Sequence, residues 1–126
     1  MGAYQRFVLI DDNEADNVFH EIMIRRAGFD GEIITFETGP DALDHFRHDS
    51  EEIDTCIFLD INMPMMDGFE VAEAMSDLLK TKPWVILVML TSSGNPKDRE
   101  RALTIPAIRG YVTKPLDVQA IVDLMK

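Results

Sequence analysis

A chain of 126 residues is one domain's length, enough to bury its own core. Hydrophobic residues make up 46% of it, the level of a soluble globular protein, and no apolar run approaches the roughly 20 residues that a bilayer-spanning helix needs. Acidic residues outnumber basic ones 23 to 12, a formal charge of -11, which argues against direct nucleic-acid binding because such a surface repels phosphates.

In chain order, Met1-Gly2 is not a myristoylation signal, since position 6 is Arg6 and not Ser or Thr. The N-terminus carries no charged-then-apolar signal pattern, so a cytoplasmic protein without membrane contact is expected. Arg6–Ile10 is a short apolar run that ends in Asp11-Asp12, the pattern of a buried strand with carboxylates at its C-terminal end. A helix follows from Asn13, with Ala15, Val18, Phe19, Ile22 and Met23 as its expected inner stripe and Asp16, Asn17, His20, Glu21 and Arg25 opposite; Gly28 is placed to end it. Glu32–Glu37 is a less apolar strand, expected at a sheet edge. Gly39-Pro40-Asp41 opens a second helix with Ala42, Leu43 and Phe46 inward. His45 and His48 could meet on that helix, but with no third ligand nearby they read as solvated surface residues and not as a metal site.

The third apolar run, Cys56–Leu59, breaks at Asp60 into a turn-rich loop with Asn62, Pro64 and Asp67-Gly68. Cys56, the single cysteine, reads as a small buried residue. Gly68–Lys80 is a helix with Val71, Ala72, Met75, Leu78 and Leu79 inward. Val85–Leu90 is the most apolar run and the expected central strand; it ends in Thr91-Ser92-Ser93-Gly94. Asn95 caps a short charged helix, Lys97–Arg101, which Pro106 stops. Ala107–Val112 is a fifth strand, ending at Thr113-Lys114-Pro115. Asp117 caps a last helix with Val118, Ile121, Val122 and Met125 inward. Five strands alternating with five helices across short loops predict an α/β fold: one parallel sheet with helices on both faces. No linker, repeat or low-complexity stretch divides the chain, so residues 1–126 are expected to be one domain, whether self-standing or cut from a longer protein.

In such a sheet the C-terminal strand ends share one edge, where ligands bind. Asp11, Asp12, Asp60, Thr91 and Lys114 all fall there. Carboxylates about 4 Å apart repel by roughly 4 kcal/mol at an effective dielectric of 20, so the cluster calls for cations. Lys114 supplies one. An all-oxygen site suits Mg²⁺, or Mn²⁺ in its place, better than zinc, and Mg²⁺ bridging carboxylates to a phosphate points to phosphoryl transfer with Asp60 as nucleophile.

The residues that carry this reading also carry a resemblance. The Asp11-Asp12 pair, Asp60-Ile-Asn-Met-Pro-Met-Met-Asp-Gly68, Thr91-Ser92 and Tyr111-Val-Thr-Lys-Pro115, in that order and at strand ends, resemble the response-regulator receiver domain, the CheY-like phosphoacceptor family of two-component signalling. The resemblance covers essentially the whole chain. It implies a doubly wound, flavodoxin-like sheet in the order 2-1-3-4-5. It implies that Asp60 takes a phosphoryl group from a sensor histidine kinase, a histidine phosphotransfer protein or a small phosphodonor. It further implies that Asp12, Asp60 and the Asn62 backbone carbonyl bind Mg²⁺ directly and Asp11 through water, that Lys114 pairs with Asp60 and then with the phosphoryl group, and that Thr91 hydrogen-bonds a phosphoryl oxygen. Tyr111 would be the switch aromatic moving with Thr91, and the Lys114-Pro115 bond would be cis. The protein would promote its own phosphorylation and dephosphorylation without being a turnover enzyme, and a downstream protein or output domain would read the surface of the last two strands and helices. Leu103-Thr-Ile-Pro-Ala-Ile-Arg109 departs from the commonest receiver pattern beside that surface. The same fold and residues admit rivals. A haloacid-dehalogenase-type Mg²⁺-dependent phosphatase also uses an Asp nucleophile, but as Asp-x-Asp after the first strand, where Asp60 follows the third and its +2 residue is Asn62. A flavin module would need a Ser/Thr/Gly-rich phosphate loop where Asp11-Asp12 stand. A receiver-like fold that no longer takes phosphate would not keep the full set of site residues.

Overall fold

The computed structural model describes residues 4–92 and 94–125; Ser93, which the sequence places beside the site, lies outside them. Strands and helices alternate as β1 (Arg6–Ile10), α1 (Glu14–Arg26), β2 (Glu32–Phe36), α2 (Gly39–His48), β3 (Thr55–Leu59), α3 (Gly68–Lys80), β4 (Val85–Thr91), α4 (Pro96–Leu103), β5 (Ile108–Thr113) and α5 (Val118–Met125). All pairings are parallel and the order is β2-β1-β3-β4-β5. The middle strand is therefore β3. The more apolar β4 lies beside it, between β3 and β5, because a strand covered on both faces at any interior position needs the same composition.

Side-chain alternation along the strands divides the core. Val8, Ile10, Ile57, Leu59, Leu87 and Met89 point to one face, where α2, α3 and α4 cover them with Ala42, Phe46, Val71, Ala72, Met75 and Ala102. Phe7, Leu9, Cys56, Phe58, Val88 and Leu90 point to the other, beneath Ile24 of α1 and Ile121 of α5. Each Val, Leu, Ile, Phe or Met side chain among them, fully buried, contributes about 1.5–3 kcal/mol. Helix starts are fixed locally. Asn13, Thr38, Asp67 and Asn95 each accept a backbone N–H from the first turn that follows, and Asp67 with Glu70 forms a reciprocal capping box. Gly28 takes φ +100 just past α1, the left-handed conformation that ends many helices.

The helix α1 does not turn the face its apolar spacing implies. Asn17, His20 and Ile24 are buried, while Ala15 is exposed and Val18, Phe19 and Ile22 are 53%, 42% and 44% exposed. The inward face instead carries Ile24, Met23 and Ala27 onto the core, and the Asn17 amide on that face donates to the Asp11 carbonyl at 3.0 Å, which satisfies a backbone acceptor at the strand end. In α5 the inward residues are Ala120, Ile121, Leu124 and Met125, with Val118 and Val122 half-exposed. His45 is not simply solvated either. It is half-buried, its ring lies 5.4 Å from that of Phe36, and its Nε2 is 4.0 Å from Asp49 Oδ2; His48 stays exposed on its own helix.

The two edges of the sheet hold different kinds of charge. At the N-terminal edge Arg6 is 2% exposed. Its guanidinium donates to Asp49 Oδ2 at 2.9 Å and to Thr55 Oγ1 at 3.0 Å, and lies 5.7 Å from the Phe46 ring centroid. Lys82 donates to the Asp49 carbonyl, which ties the same corner to the end of α3. The opposite edge holds the acids.

Candidate functional site

Three backbone hydrogen bonds carry the parallel ladder one residue beyond the strands: Asp11 N–H to the Phe36 carbonyl at 3.0 Å, Asp60 N–H to Ile10 at 2.9 Å, and Lys114 N–H to Thr91 at 2.7 Å. They hold the stems of Asp11, Asp60 and Lys114 at one edge, although 103 positions of sequence separate the first from the last. The loop after Asp60 turns back at once. The Gly68 N–H meets the Ile61 carbonyl at 2.8 Å, and a Cβ on Gly68 would collide with the Asp60 carbonyl oxygen. Met65, in the same loop, takes φ 68 and is exposed to solvent.

The structure brings together Asp11, Asp12, Asp60 and Lys114. Asp11 and Asp60 are buried and Asp12 is exposed, and one carboxylate oxygen of each lies within 4.8 Å of the others. Asp11 is pinned by the Asn13 N–H, 2.9 Å from its Oδ1. The Lys114 ammonium reaches the cluster from the end of β5, just before the cis Lys114–Pro115 peptide. It stands 2.6 Å from Asp11 Oδ2, 2.9 Å from Asp16 Oδ2 and 3.5 Å from Asp60 Oδ1. Its two short contacts are thus with Asp11 and Asp16, and Asp60 is the more distant partner. Thr91 is fully buried at the end of β4. Tyr111 lies farther down β5, opposite Met89, half-buried against the α4 side of the core with the Arg99 guanidinium 5.5 Å from its ring centroid. Asn62 is exposed in the loop two residues beyond Asp60.

Charge at this edge is out of balance. Burial, and then the field of Asp11 and further Asp12, push Asp60 up to about 6 against the pull of Lys114. For Lys114, burial opposes the charged form, but the hydrogen bonds to Asp11 and Asp16 and the field of Asp60 outweigh it and raise its pKa. The Lys114 ammonium therefore stays charged while the carboxylates compete for it. An unsatisfied, all-oxygen acidic cluster of this kind could hold a hard divalent cation.

Asp16 is the member that sequence reasoning missed. It lies in the first turn of α1, on the end of the helix that opens onto the strand termini, and not on an outer face away from the site. Its place in the first turn after the Asp11-Asp12 pair was the available signal.

The whole of this edge belongs to a known class. The sequence matches the response regulator receiver domain over residues 7–126, and the chain belongs to that family, the phosphoacceptor receivers of two-component signalling. It is 31% identical over 117 residues to the probable methanogenesis regulatory protein FilR2 of Methanothrix harundinacea, a match spanning 89% of this chain and 73% of that protein. A crystal structure of a response regulator receiver protein from Dyadobacter fermentans superposes with a TM-score of 0.86 at 30% identity, covering 94% of this chain and 93% of that one. Hybrid signal transduction histidine kinase I of Dictyostelium discoideum matches at 26% identity over 96% of this chain, which spans only 7% of that kinase. Receivers accept their phosphoryl groups from histidine kinases. Membership in this family sets aside the phosphatase and flavin readings. Among the described residues no helix is long and apolar enough to cross a membrane.

Proposed function

We propose that Asp60 is the phosphoacceptor of this receiver. The observation that carries the proposal is the convergence of Asp11, Asp12 and Lys114 on a buried Asp60 whose carboxyl is held at about 6. A carboxylate oxygen of Asp60 attacks the phosphorus of a phosphohistidine on a kinase or phosphotransfer protein. The new O–P bond forms as the P–N bond breaks, and the imidazole departs with the bond's electron pair. Mg²⁺, or Mn²⁺, would be held by Asp12, Asp60 and the Asn62 carbonyl, with Asp11 acting through water; when bound it neutralises phosphoryl charge and so favours transfer. Lys114 turns from its carboxylate partners toward the phosphoryl oxygens, and the Thr91 hydroxyl donates to one of them.

The phosphorylated side chain carries close to two negative charges in place of one and adds strong acceptor oxygens. Thr91 and Lys114 move toward it, and the β4–α4 and β5–α5 connections move with them. Tyr111 shifts as Thr91 vacates its end of β4, and a downstream protein or output domain reads the altered surface of β4, α4, β5 and α5. The protein acts as a cytoplasmic phosphorylation switch; it speeds its own labelling and hydrolysis but turns over no external substrate. Incubation with acetyl phosphate and Mg²⁺ is expected to add the mass of one phosphoryl group, a gain absent in Asp60→Asn and without added metal. Equal labelling of Asp60→Asn refutes the assignment.

A further inference from the structure

Lys114 has three N–H protons, and two of them are engaged away from the proposed nucleophile. Asp11 takes one at 2.6 Å and Asp16 another at 2.9 Å, while Asp60 stands at 3.5 Å, beyond ordinary hydrogen-bond length. Asp16 differs from the other acids here. It lies in the first turn of α1, where its own N–H is capped by Asn13 Oδ1 at 3.2 Å, so the helix start fixes its position. Its side chain is 40% exposed, against 6% for Asp11 and 8% for Asp60, so water also reaches it. It is also no part of the acidic triad that clusters within 4.8 Å. A partly hydrated carboxylate outside that triad thus holds the ammonium that is to meet the phosphoryl group.

We propose that Asp16 is a positioning residue that draws the Lys114 ammonium away from Asp60 and thereby slows the uptake of a phosphoryl group. The inference rests on the reading of Asp60 as acceptor. For Lys114 to meet a phosphoryl group arriving at Asp60, its charge-assisted hydrogen bond to Asp16 must lengthen or break. That cost falls on the transition state and not on the resting protein, so it appears as a slower reaction. Asn at this position keeps the shape and an acceptor oxygen but loses the charge, which frees the ammonium to shift toward Asp60.

The test compares the wild type, Asp16→Asn, Lys114→Met and the double variant, all with saturating Mg²⁺, labelled by acetyl phosphate and by the less charged phosphoramidate. Asp16→Asn is expected to label faster by about threefold with both donors, at low and high salt, and this gain should vanish in the Lys114→Met background. A signature independent of labelling comes from NMR without added metal, where Asp60→Asn should move the Lys114 ammonium resonance further in the Asp16→Asn background than in the wild type. Unchanged or slower labelling of Asp16→Asn overturns the inference. So does a gain confined to acetyl phosphate and lost in high salt, which would mean that Asp16 merely repels the donor, and so does a gain that survives Lys114→Met. In each of these cases labelling at Asp60 itself stands. Labelling that persists in Asp60→Asn, or is absent from every protein, overturns the acceptor assignment and this inference with it.

Discussion

Both edges of the sheet bury charge, but they balance it differently. At the N-terminal edge the Arg6 guanidinium donates to one buried carboxylate, Asp49, with the exposed Glu32 carboxylate 4.0 Å away and a threonine hydroxyl and an aromatic face completing the shell. Asp49 is pulled below the ordinary carboxylate range: burial pushes it up, but the Arg6 hydrogen bond, the Glu51 N–H and the charges of Arg6 and His45 prevail. At the C-terminal edge one ammonium serves Asp11, Asp16 and Asp60, and Asp60, though buried, is the most distant of the three. A matched charge stabilises the fold, whereas an unmatched one leaves an electrostatic demand that a metal ion and a phosphoryl group can meet. The same side-chain chemistry serves as a clamp at one end and, on our proposal, as a phosphoacceptor site at the other.

Breaking the clamp is expected to give the largest effect on stability. Arg6→Met leaves the Asp49 side chain, 7% exposed, without its guanidinium, and should cost about 3–5 kcal/mol in denaturant unfolding while leaving Asp60 labelling intact in the folded protein. Because the Asp49 pKa is lowered by folding, its contribution is present at neutral pH and is lost as pH falls through and below the carboxylate range, so the gap between the two proteins should narrow in acid.

Relieving the opposite edge should do the reverse. Moving a carboxyl from its ordinary 3.8 to about 6 corresponds to roughly 3 kcal/mol of electrostatic cost in the folded state. A group raised in this way favours folding below about pH 4 and loses that advantage as pH rises through 6. In metal-free buffer at pH 7–8, Asp60→Asn is therefore expected to unfold about 1–3 kcal/mol later than the wild type, with the difference gone near pH 4. Destabilisation by Asp60→Asn at neutral pH would show that the acids are already balanced.

The smallest expected effect probes α1, whose inner face differs from its apolar spacing. Ile22→Gln should change stability by no more than about 0.5 kcal/mol, since Ile22 is 44% exposed, whereas Ile24→Ala should cost about 2–5 kcal/mol from the core beneath it. Equal costs for the two substitutions would contradict this orientation of the helix.

What the sequence made legible was local. Each apolar run stops at a polar residue, at Asp11, Asp60 and Thr91, and a parallel sheet gathers such ends on one edge, so the strands, their alternation with helices and most of the site follow from spacing alone. What it hid depends on partners far along the chain. Arg6 looked like an ordinary strand start; its burial is possible only because Asp49 and Thr55 lie 43 and 49 residues away. The inner face of α1 was hidden because its buried polar residue, Asn17, has its partner in the Asp11 carbonyl at a strand end, which lets that face carry Ile24 inward and leaves Val18, Phe19 and Ile22 exposed. Asp16 was hidden for the same reason, since its role depends on an ammonium 98 residues downstream.

The central claim is that the unmatched edge takes a phosphoryl group on Asp60. The most direct measurement is to label the protein with acetyl phosphate and Mg²⁺, reduce the acyl phosphate with borohydride and map the product by peptide mass. Conversion of residue 60 from aspartate to homoserine in the peptide that contains Asn62 and Met63 is the predicted result. The reduced product at any other residue, with Asp60 left intact, would contradict it.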